Sequence, residues 1–235
     1  MAAAGTVRIA RWYTDALGDD FAVDADPEAL ATARDRIAPH ETWTWLRQVH
    51  GADVLTVERP GQHAGAEADA AVTAVPGATL AVQTADCAPV LLWDDAAGVV
   101  GAAHAGWRGA ELGVVQATVD AMVDLGADRS RIRAEVGPCI GAAAYEFARE
   151  DVTRLAFRYG PEVVGATSDG APALDMRAVV ASALGEAGIG PDRVEVDGRC
   201  TATHTTDGRP TFRSWRARRD TGRQTSVIRL VPTDE

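Results

Sequence analysis

The chain has 235 residues, with 23 basic side chains against 34 acidic ones and a net charge of −11. Every basic residue is arginine; lysine and asparagine are absent. That charge disfavours a general nucleic-acid or anionic-membrane binder, and no apolar run approaches the roughly 18 residues of a membrane span.

Three widely spaced cysteines, Cys87, Cys139 and Cys200, are an odd number. They argue against a disulfide framework and for a reducing compartment. The first residues, Met1-Ala-Ala-Ala-Gly-Thr, lack the basic and apolar regions of a secretory leader. These features predict a cytoplasmic protein, read here as a monomer. A chain of this length buries roughly 70–75% of its unfolded surface, so one domain over 1–235 is the expectation.

In chain order, Val7–Trp12 reads as a strand. Pro27–Ala38 reads as a helix, with Asp26 as N-cap and Pro27 at its first position. Trp43–Val49 and Val54–Val57 read as strands. The centre is clearest: apolar runs Thr79–Thr84, Ala88–Trp93 and Val99–His104, the last two joined by the turn residues Asp94-Asp95-Ala96-Ala97-Gly98. From Ala110 to Leu125, Leu112, Val115, Val119, Met122 and Val123 recur at helical spacing, and Gly126 ends the run. Ile132–Val136 is a strand, Ala148–Tyr159 and Arg177–Ala187 are helices, and Val194–Val196 and Thr225–Leu230 are short strands. Interspersed helices and hairpins predict a mixed α+β sheet rather than regular βαβ winding.

Chemistry concentrates in the central hairpin. A turn centred between Asp95 and Ala96 makes Cys87 and His104 cross-strand partners, with Cα atoms about 4.5–5.5 Å apart. A cysteine and a histidine held so can bind a metal, form a nucleophile and its base, or simply belong to the core. His50, in Arg47-Gln48-Val49-His50-Gly51, ends a β-like run; spacing alone does not bring it to the hairpin. His104-Ala105-Gly106-Trp107-Arg108-Gly109 is a strand–turn–helix passage, suited either to an anion or to tight packing. Gly137-Pro138-Cys139-Ile140-Gly141 fits a cysteine nucleophile elbow or, more commonly, a structural turn. Cys200 and His204, four apart, form a weak second metal pair. Between Arg193 and Arg229 nine arginines face four acids, a local +5. Arg216 and its neighbours there suit phosphate or carboxylate, and Trp215 a flat ring; a solvated surface is the plainer alternative.

Five segments in order resemble the signatures of the YfiH-like laccase-domain family. They are Arg47–Ala52, Thr84–Val90, Ala103–Gly109, Gly137–Gly141 with Tyr145-Glu146, and the late run from Cys200-Thr201 through Phe212, Ser214, Arg216 and Thr221-Gly222-Arg223. The resemblance spans about Thr44 to Leu230. It implies an α+β layered sandwich of the αββα type with mixed sheets, handled as a single domain. It implies a metal site, generally zinc, with copper as the alternative, on His50, Cys87 and His104. These would be metal ligands and catalytic residues at once, a three-ligand set with one open position. It also implies phosphorolysis of purine nucleosides (adenosine, inosine, guanosine, methylthioadenosine), with adenosine deamination as a companion reaction. Arg47, Arg108 and Arg216 are the candidate holders of phosphate or purine. Asp86, beside Cys87, is a histidine-orienting carboxylate, a proton-transfer group or a turn residue.

Two departures bear on substrate preference. Trp215 stands where the family usually has tyrosine, and Arg213 separates Phe212 from Ser214. The family's older name is laccase, and a four-copper laccase needs more histidines than the five present. Other readings are a cysteine hydrolase using Cys87 or Cys139, a weak copper-dependent phenol oxidase, and a non-enzymatic partner in cell-wall quality control.

Overall fold

The computed structural model describes residues 7–232; the N-terminal segment read for a leader lies outside the described residues. The chain runs β1 (Val7–Tyr13), α1 (Pro27–Ile37), β2 (Trp43–Trp45), β3 (Val54–Val57), β4 (Ala70–Thr73), β5 (Thr79–Thr84), β6 (Ala88–Asp94), β7 (Val99–Ala105), α2 (Trp107–Leu112) and α3 (Val114–Asp124). It continues through β8 (Arg133–Val136), α4 (Arg149–Tyr159), β9 (Val164–Ala166), β10 (Pro172–Leu174), α5 (Met176–Glu186), β11 (Val194–Val196), β12 (Thr205–Thr206), β13 (Arg209–Pro210), α6 (Trp215–Arg218) and β14 (Gln224–Pro232). No helix among the described residues is long and apolar enough to cross a membrane.

Two sheets carry the fold. One has strand order β1-β14-β5-β2, the other β11-β8-β6-β7-β4-β3, and both mix parallel and antiparallel pairs. Side chains alternate across each strand, and the alternation sorts the core into three layers. Leu80 and Val82 of β5 and Ile228 and Leu230 of β14 meet Leu91 and Trp93 of β6 and Val100 and Ala102 of β7 between the sheets. Val90, Leu92, Val99 and Ala103 face the other way, onto α3 and α5. Ala81 and Val227 face α1 through Leu30 and Ala33. The result is α1, sheet, sheet, helices: the layered α+β arrangement expected. Each fully buried Leu, Ile or Val contributes about 1.5–3 kcal/mol relative to exposure.

Local chemistry explains the element ends. Asp26 Oδ1 accepts the Ala29 N–H at 2.9 Å and starts α1 at Pro27. The predicted helix over Ala110–Leu125 is instead two helices, because Gly113 takes a left-handed φ of 96° between α2 and α3. The Trp43–Val49 strand is also shorter than expected, ending as β2 at Trp45. Beyond it the Gln48 side chain does the pairing. Its Nε2 donates to Gln83 O at 2.6 Å and its Oε1 accepts Gln83 N–H at 2.8 Å. The backbone is thereby released from the sheet before His50.

The central hairpin needs a register correction. Pro89, not Cys87, lies opposite His104, and Asp94 opposite Val99. The loop between them is centred between Ala96 and Ala97, one residue later than the expected centre between Asp95 and Ala96. Asp94 Oδ1 accepts the N–H of Ala96 and Ala97, and Gly98 has φ 62°. The pairing shifts by two residues, which preserves the face. Cys87 is therefore a diagonal neighbour of His104, within reach across the same face.

Candidate functional site

Three chain passages end at the same rim, where the two sheets open. The loop after β2 brings His50, the segment between β5 and β6 brings Cys87, and the end of β7 brings His104. Their ligand-capable atoms all lie within 4.8 Å of one another. This is the one group of three or more His, Cys, Asp or Glu residues among the described residues that can hold a metal ion. Cys87 Sγ lies 3.8 Å from His50 Nε2, and the two imidazoles meet edge to face with centroids 4.8 Å apart. Gly106 covers them closely: a Cβ there would stand 2.8 Å from His50 Cδ2 and 3.0 Å from Cys87 Sγ. Any side chain at this position would push the donors apart. Two imidazole nitrogens and a thiolate suit zinc, and also copper.

Asp69, just before β4, is the residue that sequence reasoning missed. Its Oδ1 lies 2.8 Å from His104 Nδ1 and accepts the His50 N–H at 2.9 Å. Its Oδ2 accepts the N–H groups of Gly51 at 2.7 Å and Val49 at 3.1 Å. Burial alone would raise this carboxyl; the His104 hydrogen bond and the loop N–H groups outweigh it and hold the pKa below the usual range. Its one sequence signal was a charge inside an alanine-rich apolar stretch.

Asp86 does not orient a histidine. It has φ 95°, and its carboxylate accepts the Thr201 hydroxyl and the Arg216 N–H, each at 2.7 Å. It is a turn residue that pins the start of α6 beside Cys87.

A cavity of about 620 Å³ opens over the three donors. Trp107, Arg108, Tyr145, Trp215, Arg216 and Arg223 are among the residues lining it. The Arg216 guanidinium lies over the Tyr145 ring at 4.8 Å and donates to Glu146 O at 2.9 Å. Arg108 stacks on Trp107 at 4.2 Å. Arg47 is exposed and is not among the lining residues; its backbone forms an isolated parallel β-bridge with Glu67. The basic end thus divides: Arg216 and Arg223 reach the cavity, while Arg218 donates to the carbonyls of Ala202 and Thr201.

Electrostatics favour a charged donor set. Burial by itself would raise the Cys87 thiol, but the facing His104 and His50 lower it to about 6. Burial would lower His104, but Cys87 and Asp69 raise it to about 9. Cys139 behaves oppositely. It is fully buried and burial pushes its thiol up to about 12, so the Gly137–Gly141 passage is a turn without a reactive thiolate. Cys200 and His204 are separately engaged, Cys200 Sγ by Gly141 N–H at 3.2 Å and His204 Nδ1 by Thr211 Oγ1 at 2.9 Å.

Residues 12–231 match the family model described as multi-copper polyphenol oxidoreductase laccase. The chain belongs to this family. It is 38% identical over 232 residues to a purine nucleoside phosphorylase of Mycobacterium tuberculosis, covering 96% of this chain and 88% of the relative. It is 38% identical over 190 residues to the purine nucleoside phosphorylase YfiH of Escherichia coli, covering 80% and 73%. The crystal structure of YlmD from Geobacillus stearothermophilus superposes with a TM-score of 0.84 at 28% identity over 98% of both chains. The family's laccase name sits poorly with the donor inventory here. Of five histidines only His50 and His104 meet; His40 and His63 occupy left-handed turn positions with φ 62° elsewhere.

Proposed function

We propose that this protein is a zinc-dependent purine nucleoside phosphorylase. One observation carries the reading: His50, Cys87 and His104 converge in the lining of a cavity walled by arginines and aromatic rings. The naming of relatives 38% identical as purine nucleoside phosphorylases supports it. Phosphorolysis needs a phosphate oxygen placed against C1′ of the ribose while the C–N bond to the base breaks. The products are the free base and ribose 1-phosphate.

The residues divide that work. His50, Cys87 and His104 would hold zinc, which would supply Lewis acidity. Copper fits the same donors and would confer at most a weak phenol oxidase activity. Arg108 and Arg216 supply fixed, always-charged forks for phosphate. Tyr145 and Trp107 offer ring faces against which a purine packs. Asp86 keeps the Arg216 backbone at the rim, so that its fork enters the cavity. The companion reaction, adenosine deamination, attacks a different atom: water adds at C6 of the purine and ammonia leaves, giving inosine. A cavity of about 620 Å³ has room for a purine and a ribose, and the candidate substrates are adenosine, inosine, guanosine and methylthioadenosine.

The test is a panel of those nucleosides, each with and without phosphate, with free base measured by chromatography. Base release that depends on phosphate supports the reading, and none from any nucleoside overturns it. Elemental analysis is expected to find about one zinc per chain.

A further inference from the structure

One buried carboxylate reaches both histidines of the centre by different routes. Asp69 is 0% exposed. Its main-chain carbonyl accepts the His104 N–H at 2.8 Å, and its side chain takes the same residue's Nδ1 at 2.8 Å. His104 is therefore gripped at backbone and ring together. A carboxylate only accepts, so the proton on this hydrogen bond sits on Nδ1, and Nε2 is the nitrogen left for a metal ion.

The route to His50 runs through its backbone. His50 has φ 61°, a left-handed conformation uncommon for a residue with a side chain. Three consecutive N–H groups, of Val49, His50 and Gly51, converge on the two Asp69 oxygens. They hold the loop in that conformation and so aim the imidazole at Cys87. We propose that Asp69 is the positioning residue of the metal centre, selecting Nε2 as the His104 ligand atom and fixing the His50 ring through its loop. This rests on the metal reading of the site.

Two measurements test it. The first is zinc affinity by chelator competition for wild type and Asp69→Asn. The amide keeps the size of the carboxylate but turns an N–H toward a donor, so affinity is expected to fall about 10–100-fold. The second is the His104 tautomer in the wild-type protein, with and without zinc, by long-range ¹⁵N correlation spectroscopy. A proton on Nδ1 in both states is expected. It needs no variant, so it decides the matter even when Asp69→Asn does not fold. Unchanged zinc affinity in a folded Asp69→Asn protein, or a His104 ring without a proton on Nδ1 in either state, overturns the proposal. Wild type that takes up no zinc overturns the metal reading and the proposal with it. That outcome is distinguishable, because the metal-free tautomer is recorded independently.

Discussion

The Asp69 carboxylate and the His104 imidazole meet at 2.8 Å, both buried. Removing the ring leaves a buried carboxylate short of one partner. His104→Ala is therefore expected to destabilise the fold by about 2–4 kcal/mol, less than loss of a sole partner because three N–H donors remain. Cys87 is only partly buried at the cavity rim. Cys87→Ala should change stability by less than about 1 kcal/mol. Urea unfolding of the metal-free variants checks the contrast; equal losses would contradict it.

The arginines make a second contrast. Arg216 lines the cavity and Arg47 does not. Arg216→Ala should raise KM about 10–100-fold, the loss of one charge-assisted contact of about 1.5–3 kcal/mol. Arg47→Ala should change kcat/KM by less than about twofold. Steady-state kinetics with inosine and phosphate varied in turn decide this. A large Arg47 effect would require the substrate to extend beyond the cavity.

The thiol gives a pH prediction. In metal-free protein the facing histidines hold Cys87 at about 6 against the opposing effect of burial. Thiolate then persists well below the pH at which an ordinary cysteine, near 8.5, loses its proton. Iodoacetamide labelling followed by mass spectrometry should reach half its maximal rate near pH 6. Zinc should protect the thiol. Labelling that rises only above pH 8 would show that the two imidazoles do not act on it.

Asp94 gives another, for stability. It is buried, and its carboxylate accepts the N–H groups of Ala96, Ala97 and Asp128 and the Arg131 guanidinium. Burial opposes ionisation, but these donors hold its pKa below the usual carboxylate value. A depressed folded-state pKa adds stability above the unfolded value, near 4, that is lost as pH falls through the folded value. Asp94→Asn should cost about 1–3 kcal/mol at pH 7 and progressively less as the pH falls below about 4. A cost that does not fall with pH would contradict the assignment.

Much of this was legible in the sequence, for reasons that differ by residue. Apolar runs made β5, β6 and β7 visible because their strands are buried on both faces. Cys87 and His104 paired by simple turn arithmetic, and the two-residue register error did no harm because it kept the face. His50 was not placed by spacing, since a side-chain amide, Gln48, ends the sheet pairing and frees the loop; only family resemblance pointed to it. Asp69 was invisible. Its role depends on three N–H groups and a ring that come together only in the folded chain. Strand β4 was missed because Ala70-Ala71-Val72-Thr73 carries little β signal, although all four residues are buried in the sheet.

The central claim is that His50, Cys87 and His104 form the working centre of a phosphorolytic enzyme. The most direct measurement is hypoxanthine released from inosine by zinc-loaded protein with and without phosphate, for wild type and Cys87→Ala. Wild type should release it only with phosphate, with equimolar ribose 1-phosphate, and Cys87→Ala should lose at least about 100-fold, because a metal ligand is gone. Equal turnover by Cys87→Ala, or release that ignores phosphate, would contradict the claim.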